Sequence, residues 1–439
     1  MKKKLVLATI IISSLIVISS FMGHNVYAGE LQNLIDKTKS GDTLQLEDKT
    51  YKDHVIIKKP ITIKGKENTI IDGEKKGTII QIKSSDVVLK NLKIMNSGRS
   101  RSSEMEASCI RNMAPNNTFK DLKIHNCFHG LYLNKGDKTN IQNNDIKGYK
   151  EGSTGAKGYG IYIKRANENT IKNNTIQYSR DGIYFEYSND NEIINNKVSK
   201  TRYGLHYMYS NFNNFKGNKF IGNIGGAAIM HSDNIVLEKN QFSFNQGSQA
   251  FGLIIQGSRD INILENEFHL NQRGLYIEQS TLNLIQENEF FNNKVGIEVW
   301  DSSSALTFMK NEFKENKVPV VLVGHSNQNN WNKNKEGNYW QEPMLDLDQN
   351  DIGDRPYIQN SSLGNLLKQN ELAYLFMNSP AIDLFERSHR LINPDVVMIK
   401  DEFPLIDNNH SLTLEKIIIS IIVIVITILS VMYLRRSKR

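Results

Sequence analysis

The sequence predicts an all-β protein: a right-handed single-stranded parallel β-helix (a solenoid) with a short C-terminal helical segment and one C-terminal transmembrane helix. Three observations predict it. A glycine opens the phrases "GLYL" at Gly130, "GIYI" at Gly160, "GIYF" at Gly182, "GLHY" at Gly204, "GAAI" at Gly226, "GLII" at Gly252, "GLYI" at Gly274 and "GIEV" at Gly296, at steps of 30, 22, 22, 22, 26, 22 and 22 residues. An asparagine keeps the same time, at Asn144, Asn174, Asn196, Asn218, Asn240, Asn266, Asn288 and Asn311. Between these marks run short segments of alternating apolar and polar residues, separated by Asn, Asp, Ser and Gly, which is the pattern of strands and turns. A 22-residue unit with three such segments cannot bury its own apolar face, but stacked units bury it continuously.

Taken in order, the chain begins with Lys2, Lys3 and Lys4, an apolar run from Leu5 to Ile18, and small residues around Val26 and Ala28. This pattern predicts a signal peptide over 1–28, with a retained N-terminal anchor as the rival reading. Residues 29–60 read as an N-terminal cap and first coil. From Leu44 to Asn334 there is room for roughly a dozen coils, which at ~4.8 Å per layer make a rod of about 55 Å. The β-helix domain is accordingly assigned to 29–336. Its two longer steps coincide with Tyr149–Lys157 ("YKEGSTGAK") and Asn245–Ala250 ("NQGSQA"), both read as loops. The timed asparagines fit an inward ladder of amide hydrogen bonds, or simple turn formers; both readings predict the same fold.

Register assigns the faces. In "GIYFEY", Ile183 and Phe185 take inward positions and Tyr184 and Glu186 point out, so His206, Met208, Ala228 and Met230 point out in the next two coils. Two methionines one layer apart, with His206 beside Met208 and His231 beside Met230, offer soft sulfur and imidazole together, a set suited to Cu(I). The competing reading is a packing face for the terminal tail. A second cluster, "HNCFH", places His125, Cys127 and His129 on one side if the segment is extended, which suits copper or zinc. Against it stand structural histidines at a turn with Cys127 buried, or a Cys109–Cys127 pair, which spacing alone does not establish. With only these two cysteines, burial rather than a disulfide framework must stabilise the domain.

Residues 337–410 form a C-terminal cap. In "GNYWQEPMLDLDQNDIGDRPY", Asp346, Asp348, Asn350, Asp351 and Asp354 gather oxygen ligands around the turn at Gly353, and Asp346, Asp348, Asn350 and Asp354 are candidate calcium ligands. A solvated acidic loop is the alternative. From 363 to 392 the apolar spacing turns helical, broken at Ser379-Pro380, which predicts helices that cover the open end of the rod or lie on a membrane partner. Ile417–Leu434 is an 18-residue apolar run, about 27 Å long as a helix, followed by Arg435, Arg436, Lys438 and Arg439. It predicts a transmembrane helix over 417–434 and a cytoplasmic basic tail over 435–439, so that the body lies on the outer face of the cytoplasmic membrane. The formal charge of +7 is carried by these two ends. The body is near neutral, and nothing in its charge suggests nucleic-acid binding.

The repeats, then "GNYW", "DIGDRPY", "LAYLFMNSPAIDLF" and "DEFPL" at Asp401–Leu405, resemble the NosD family, periplasmic maturation proteins of nitrous oxide reductase, over nearly the whole exported body. The repeats are shared with many β-helices, and the "NSPA" and "DEFPL" segments are the more specific portion. The resemblance implies an accessory protein rather than an enzyme. It would act with an ABC transporter permease and its ATPase in assembly of the reductase's copper–sulfide centre, as a docking platform for copper from a chaperone lipoprotein. Two departures stand out: the family's acidic loop has more glycine than this one, which puts calcium at Gln349 and Asn350 in doubt, and a C-terminal span is not constant in the family. Two rival functions remain at this stage. One is a cell-surface polysaccharide lyase, hydrolase or epimerase using Glu186, Asp190, Glu278, Glu298 and Asp301, with Trp300 and the tyrosines at 132, 162, 184 and 276 as a sugar-stacking stripe. The other is a non-catalytic glycan-binding or adhesion module.

Overall fold

The computed structural model describes residues 29–99, 106–247, 249–324, 329–359, 379–392 and 399–406, with isolated positions between 363 and 376. The predicted signal peptide (1–28), transmembrane helix (417–434) and basic tail (435–439) lie outside the described residues. No helix among the described residues is long and apolar enough to cross a membrane.

Three segments per coil become three parallel sheets of twelve strands each, and every strand pairs with the equivalent strand of the next coil. The first sheet starts at Thr43–Gln45, the second at Thr50–Lys52 and the third at Val55–Ile57. The alternation in the sequence sets which side chains enter the rod. In the strand Asp181–Glu186, Ile183 and Phe185 are fully buried while Tyr184 and Glu186 are partly exposed. One inward column is aromatic: Phe220, Phe242, Phe268, Phe290, Phe313 and Trp340 stack in sequence with ring centroids 4.7–5.4 Å apart. Each such pair adds ~0.5–1.5 kcal/mol beyond the area it buries.

The periodic asparagines form a buried ladder. Asn174 donates from Nδ2 to Oδ1 of Asn196 at 2.9 Å, Asn196 to Asn218 at 3.0 Å, and the chain of amides runs from Asn144 to Asn338. Beyond Asn144, whose Oδ1 accepts Leu122 N–H, each Oδ1 also accepts the backbone N–H of the asparagine one coil earlier, as in Asn196 N to Asn218 Oδ1 at 2.9 Å. The ladder ends on Asp401, the first residue of "DEFPL", whose carboxylate accepts Asn338 N–H at 2.8 Å and Trp340 Nε1–H at 3.0 Å. The glycine that opens each phrase answers a different need. A Cβ on Gly182 or Gly252 would lie 2.5 or 2.6 Å from the carbonyl oxygen of the matching glycine one coil on. The repeat therefore needs the missing side chain so that adjacent coils can approach.

Both ends are closed. At the N-terminus, the helix Glu30–Lys37 inserts Leu31 and Ile35 into the core. At the C-terminus, the tail residues differ from the sequence reading. The end of the rod is closed by aromatic rings: Trp331 on Phe308 at 4.2 Å, and Tyr357 on Trp340 at 3.9 Å. The helix Pro380–Ile392 lies elsewhere, with Ile382 and Leu363 packed against Val295, Val318, Val321 and Val323. These include outward positions on the last coils of the third sheet, where valines replace the polar residues of earlier coils, and that apolar strip draws the tail to the side of the rod.

Candidate metal centre

The predicted copper ligands fall on the outer face of the third sheet, where parallel pairing turns sequence spacing into columns. Tyr132, Tyr162, Tyr184, His206 and Ala228 form one column. Glu186, Met208, Met230 and Gln256 form the next. Met208 and Met230 are thus direct neighbours across two strands, with His206 two residues before Met208 on the same face. Both methionines are half-buried rather than open to water, and Met208 Sδ accepts the Tyr184 hydroxyl at 3.8 Å. Ala228 points outward but is fully buried, because its methyl is shorter than the His206 and Ile254 side chains that flank it in the column.

His206 is held from behind. Its Nδ1 lies 3.0 Å from Oδ2 of Asp181, a fully buried carboxylate that also takes a bidentate pair from Arg202 at 2.8 and 2.6 Å. Burial works to raise the Asp181 carboxyl, but His206 and Arg202 outweigh it and hold it below the usual carboxylate range. Tyr184 and Tyr203 flank the imidazole at centroid distances of 4.8 and 5.3 Å. With Nδ1 occupied by a carboxylate, Nε2 is the nitrogen left to face a ligand, an arrangement that commonly orients metal-binding histidines. Two thioethers and one such imidazole on a half-dry face are a soft donor set, and they fit Cu(I). The described part of the tail packs several coils further on, so it does not account for this pair of methionines.

His231 departs from the expectation. It begins the corner after Met230 with φ +50°, and its exposed ring stacks on Tyr209 at 5.3 Å, in a corner column that continues to Tyr187. The turn carries it off the strand face, which leaves His206, Met208 and Met230. Asp181 and Arg202 were not legible as partners of His206. Asp181 opens its strand and Arg202 immediately precedes the next one, and strand alternation carries no signal for such a diagonal pair.

The "HNCFH" set does not assemble. The chain turns at Asn126, φ +53°, so the segment is not extended. Cys127 is joined to Cys109 in a disulfide, Cα–Cα 5.7 Å, which removes the thiolate a metal would need. His125 stays on the second sheet, bonded to Asp145 at 3.1 Å, and burial pulls its pKa down against that carboxylate. His129 is buried on the third sheet, with Nε2 2.6 Å from Glu106 and Nδ1 accepting Tyr159 N–H at 3.0 Å.

In the acidic loop, ligand atoms of Asp346, Asp348 and Asp354 lie within 4.8 Å of one another. Asn350 does not join them: its Oδ1 accepts Ile352 N–H at 2.8 Å and its Nδ2 donates to Asp348. Asp346 accepts the N–H groups of Asn350 and Asp351, and Asp354 that of Leu347. Loop amides already use these carboxylates, and nothing else in the loop points to calcium.

Most of the carboxylates weighed for glycan chemistry are also engaged by neighbouring side chains, and the five are spread over three coils. Glu186 accepts Tyr162 OH at 2.6 Å and pairs with Lys164. Glu278 accepts Tyr276 and Gln256. Glu298 is 1% exposed and bonded to Trp300, with Arg273 at 3.6 Å. Asp190 sits in a corner with φ +56°, and Asp301 lies against Gly324 at the next corner. The tyrosines stack on one another, as Tyr132 does on Tyr162 at 4.5 Å, rather than offering open faces to a sugar.

A family model described as "Periplasmic copper-binding protein (NosD)" matches residues 26–178 and 148–345, which together exceed half of the chain. The chain belongs to the NosD family. Two relatives, from Pseudomonas aeruginosa and Stutzerimonas stutzeri, each named "Probable ABC transporter binding protein NosD", are 30% identical over 113 residues. That alignment covers 26% of this chain and 26% of each NosD relative. Among solved structures, the A-module of the Azotobacter vinelandii mannuronan C-5 epimerase AlgE6 superposes with a TM-score of 0.54 at 12% identity, covering 68% of this chain and 92% of that module. PfbA, a surface adhesin of Streptococcus pneumoniae, does so with a TM-score of 0.52 at 14% identity, covering 68% and 91%. At these identities the epimerase and the adhesin share the NosD chain's fold, and the likeness extends no further.

Proposed function

We propose that this NosD-family chain is an accessory protein, not an enzyme, that works outside the cytoplasmic membrane with an ABC transporter in maturing the copper–sulfide centre of nitrous oxide reductase. In this reading it is a docking and copper-delivery platform, receiving copper from a chaperone lipoprotein. The observation that carries the reading is the in-register pair Met208 and Met230 beside the carboxylate-held His206, on the outer wall of a chain that matches a copper-binding family. Met208 and Met230 would supply thioether sulfur and His206 its Nε2. When bound, Cu(I) supplies a transferable soft cation, and the protein's part is to hold it on an accessible wall from which a partner can take it. Asp181 keeps the imidazole turned outward, and Tyr184 positions the Met208 thioether.

The test is Cu(I) titration of the chain against a chromophoric chelator. Changing Met208 and Met230 together to alanine should weaken binding by at least about a hundredfold, since outer-shell losses alone cost ~10–100-fold. Unchanged stoichiometry and affinity would reject these ligands.

A further inference from the structure

The corner between the first and second sheets carries a charge pattern that the copper reading does not use. Down the last column of the first sheet, Lys64 pairs in register with Lys90, and Lys90 with Lys120. Down the first column of the second sheet, Lys93 pairs with Lys123. Lys66 sits in the corner between the columns and, with Lys93 and Lys123, borders a groove of about 280 Å³ that also holds Glu67 and Asp121. Six lysines thus occupy three successive coils, and among the described residues only Lys120 of the six comes within ion-pair distance of a carboxylate, Asp121 at 4.0 Å. Further along, the same second-sheet column passes Asp145, which Lys147 and His125 already engage, and Thr175, runs through Lys197 and Lys219, and after Gln241 turns acidic at Glu267, Glu289 and Glu312. Lysines therefore outnumber carboxylates along the second to fourth coils of this edge, between Glu47 and Asp48 on the first coil and Asp145 on the fifth, while its last coils are acidic.

We propose that the lysine corner formed by Lys64, Lys66, Lys90, Lys93, Lys120 and Lys123 docks the N-terminal coils on an anionic phospholipid surface. Clusters of four to eight basic residues are what such a surface attracts, each adding to the binding without any need for insertion. The exposed large apolar residues of the rod, such as Tyr187, Phe212, Phe244 and Leu282, all lie on other corners or later coils. A protein interface would be expected to have an apolar anchor at its centre, and this ridge has none. The acidic coils at the far end are repelled by the same surface, so contact is confined to the lysine-bearing coils.

The test reads the lysines themselves. The full chain is mixed with vesicles of phosphatidylglycerol in phosphatidylcholine, or of phosphatidylcholine alone, and acylation of each lysine by a water-soluble ester is followed by mass spectrometry. On the anionic vesicles Lys64, Lys66, Lys90, Lys93 and Lys123 should react roughly tenfold more slowly, with the difference lost at high salt, while Lys333 and Lys400 are unchanged. A variant carrying Lys90→Glu and Lys123→Glu, checked for native circular dichroism, should lose the protection of Lys64, Lys66 and Lys93. Equal rates on the two vesicle types would overturn the proposal. So would protection by soluble polyphosphate or an acidic protein but not by the anionic vesicles.

Discussion

Replacing Asp401 with alanine should lower the stability of the chain by ~3 kcal/mol or more, read as a fall in the thermal midpoint and in the denaturant midpoint. Asp401 is fully buried and gathers the end of the asparagine ladder: it accepts Asn338 N–H at 2.8 Å, Trp340 Nε1–H at 3.0 Å and Phe403 N–H at 3.1 Å. Alanine would leave these donors facing a cavity, and unpaired buried donors cost more than a made bond contributes. Burial lifts the Asp401 carboxyl above the usual carboxylate range, although the Trp340, Asn338 and Phe403 donors act the other way. A group raised in this way favours the folded state most below its unfolded pKa, and that contribution is lost as pH rises through the folded value. Stability should therefore decline slightly as pH rises from about 4 through the weakly acidic range. Asp401→Asn, which mimics the neutral form, should be milder than alanine and should remove this slope. A slope of opposite sign would mean that the donors prevail over burial.

Gly252→Ala should destabilise by ~3 kcal/mol, at the upper end of the range for overpacking, while Gly155→Ala should change stability by no more than ~0.5 kcal/mol. The contrast isolates space from flexibility. A Cβ at Gly252 would stand 2.6 Å from the Gly274 carbonyl oxygen and 3.1 Å from Asn271 Nδ2 and from Phe268. The nearest obstacle is backbone, already committed to the parallel ladder, so the coils must part for the methyl to fit. At Gly155, in the short turn Thr154–Ala156, nothing lies within 4 Å. Thermal unfolding of the two variants beside the parent chain makes the comparison, and equal effects would show that the phrase-opening glycines are not there for coil contact.

The columns of this protein were readable because the repeat is a metric. Residues 22 apart in the regular region become vertical neighbours, so the asparagine ladder, the buried Ile183 and Phe185 and the adjacency of Met208 and Met230 all follow from counting. The count failed wherever the chain turns. His231 is one residue past Met230 and already belongs to another column; His125 and His129 are four apart and lie on different sheets. The tail was misplaced for a related reason: its helical spacing shows that it has an apolar face, but not which of two surfaces will receive it. Trp331, Trp340 and Tyr357 close the end of the rod, and the valines on the third sheet receive the tail.

The sequence by itself determined a stacked parallel solenoid of about a dozen coils, and which residues face in or out, because strand alternation and a constant repeat length are local properties that stacking merely multiplies. Only the tertiary structure decided that His206 rests on Asp181 and Arg202, that Cys127 is spent in a disulfide, that Asp401 terminates the ladder, and that six lysines share one corner. Those facts depend on where corners bend and where distant ends of the chain return. Such closures are set by packing between coils, which no single coil encodes.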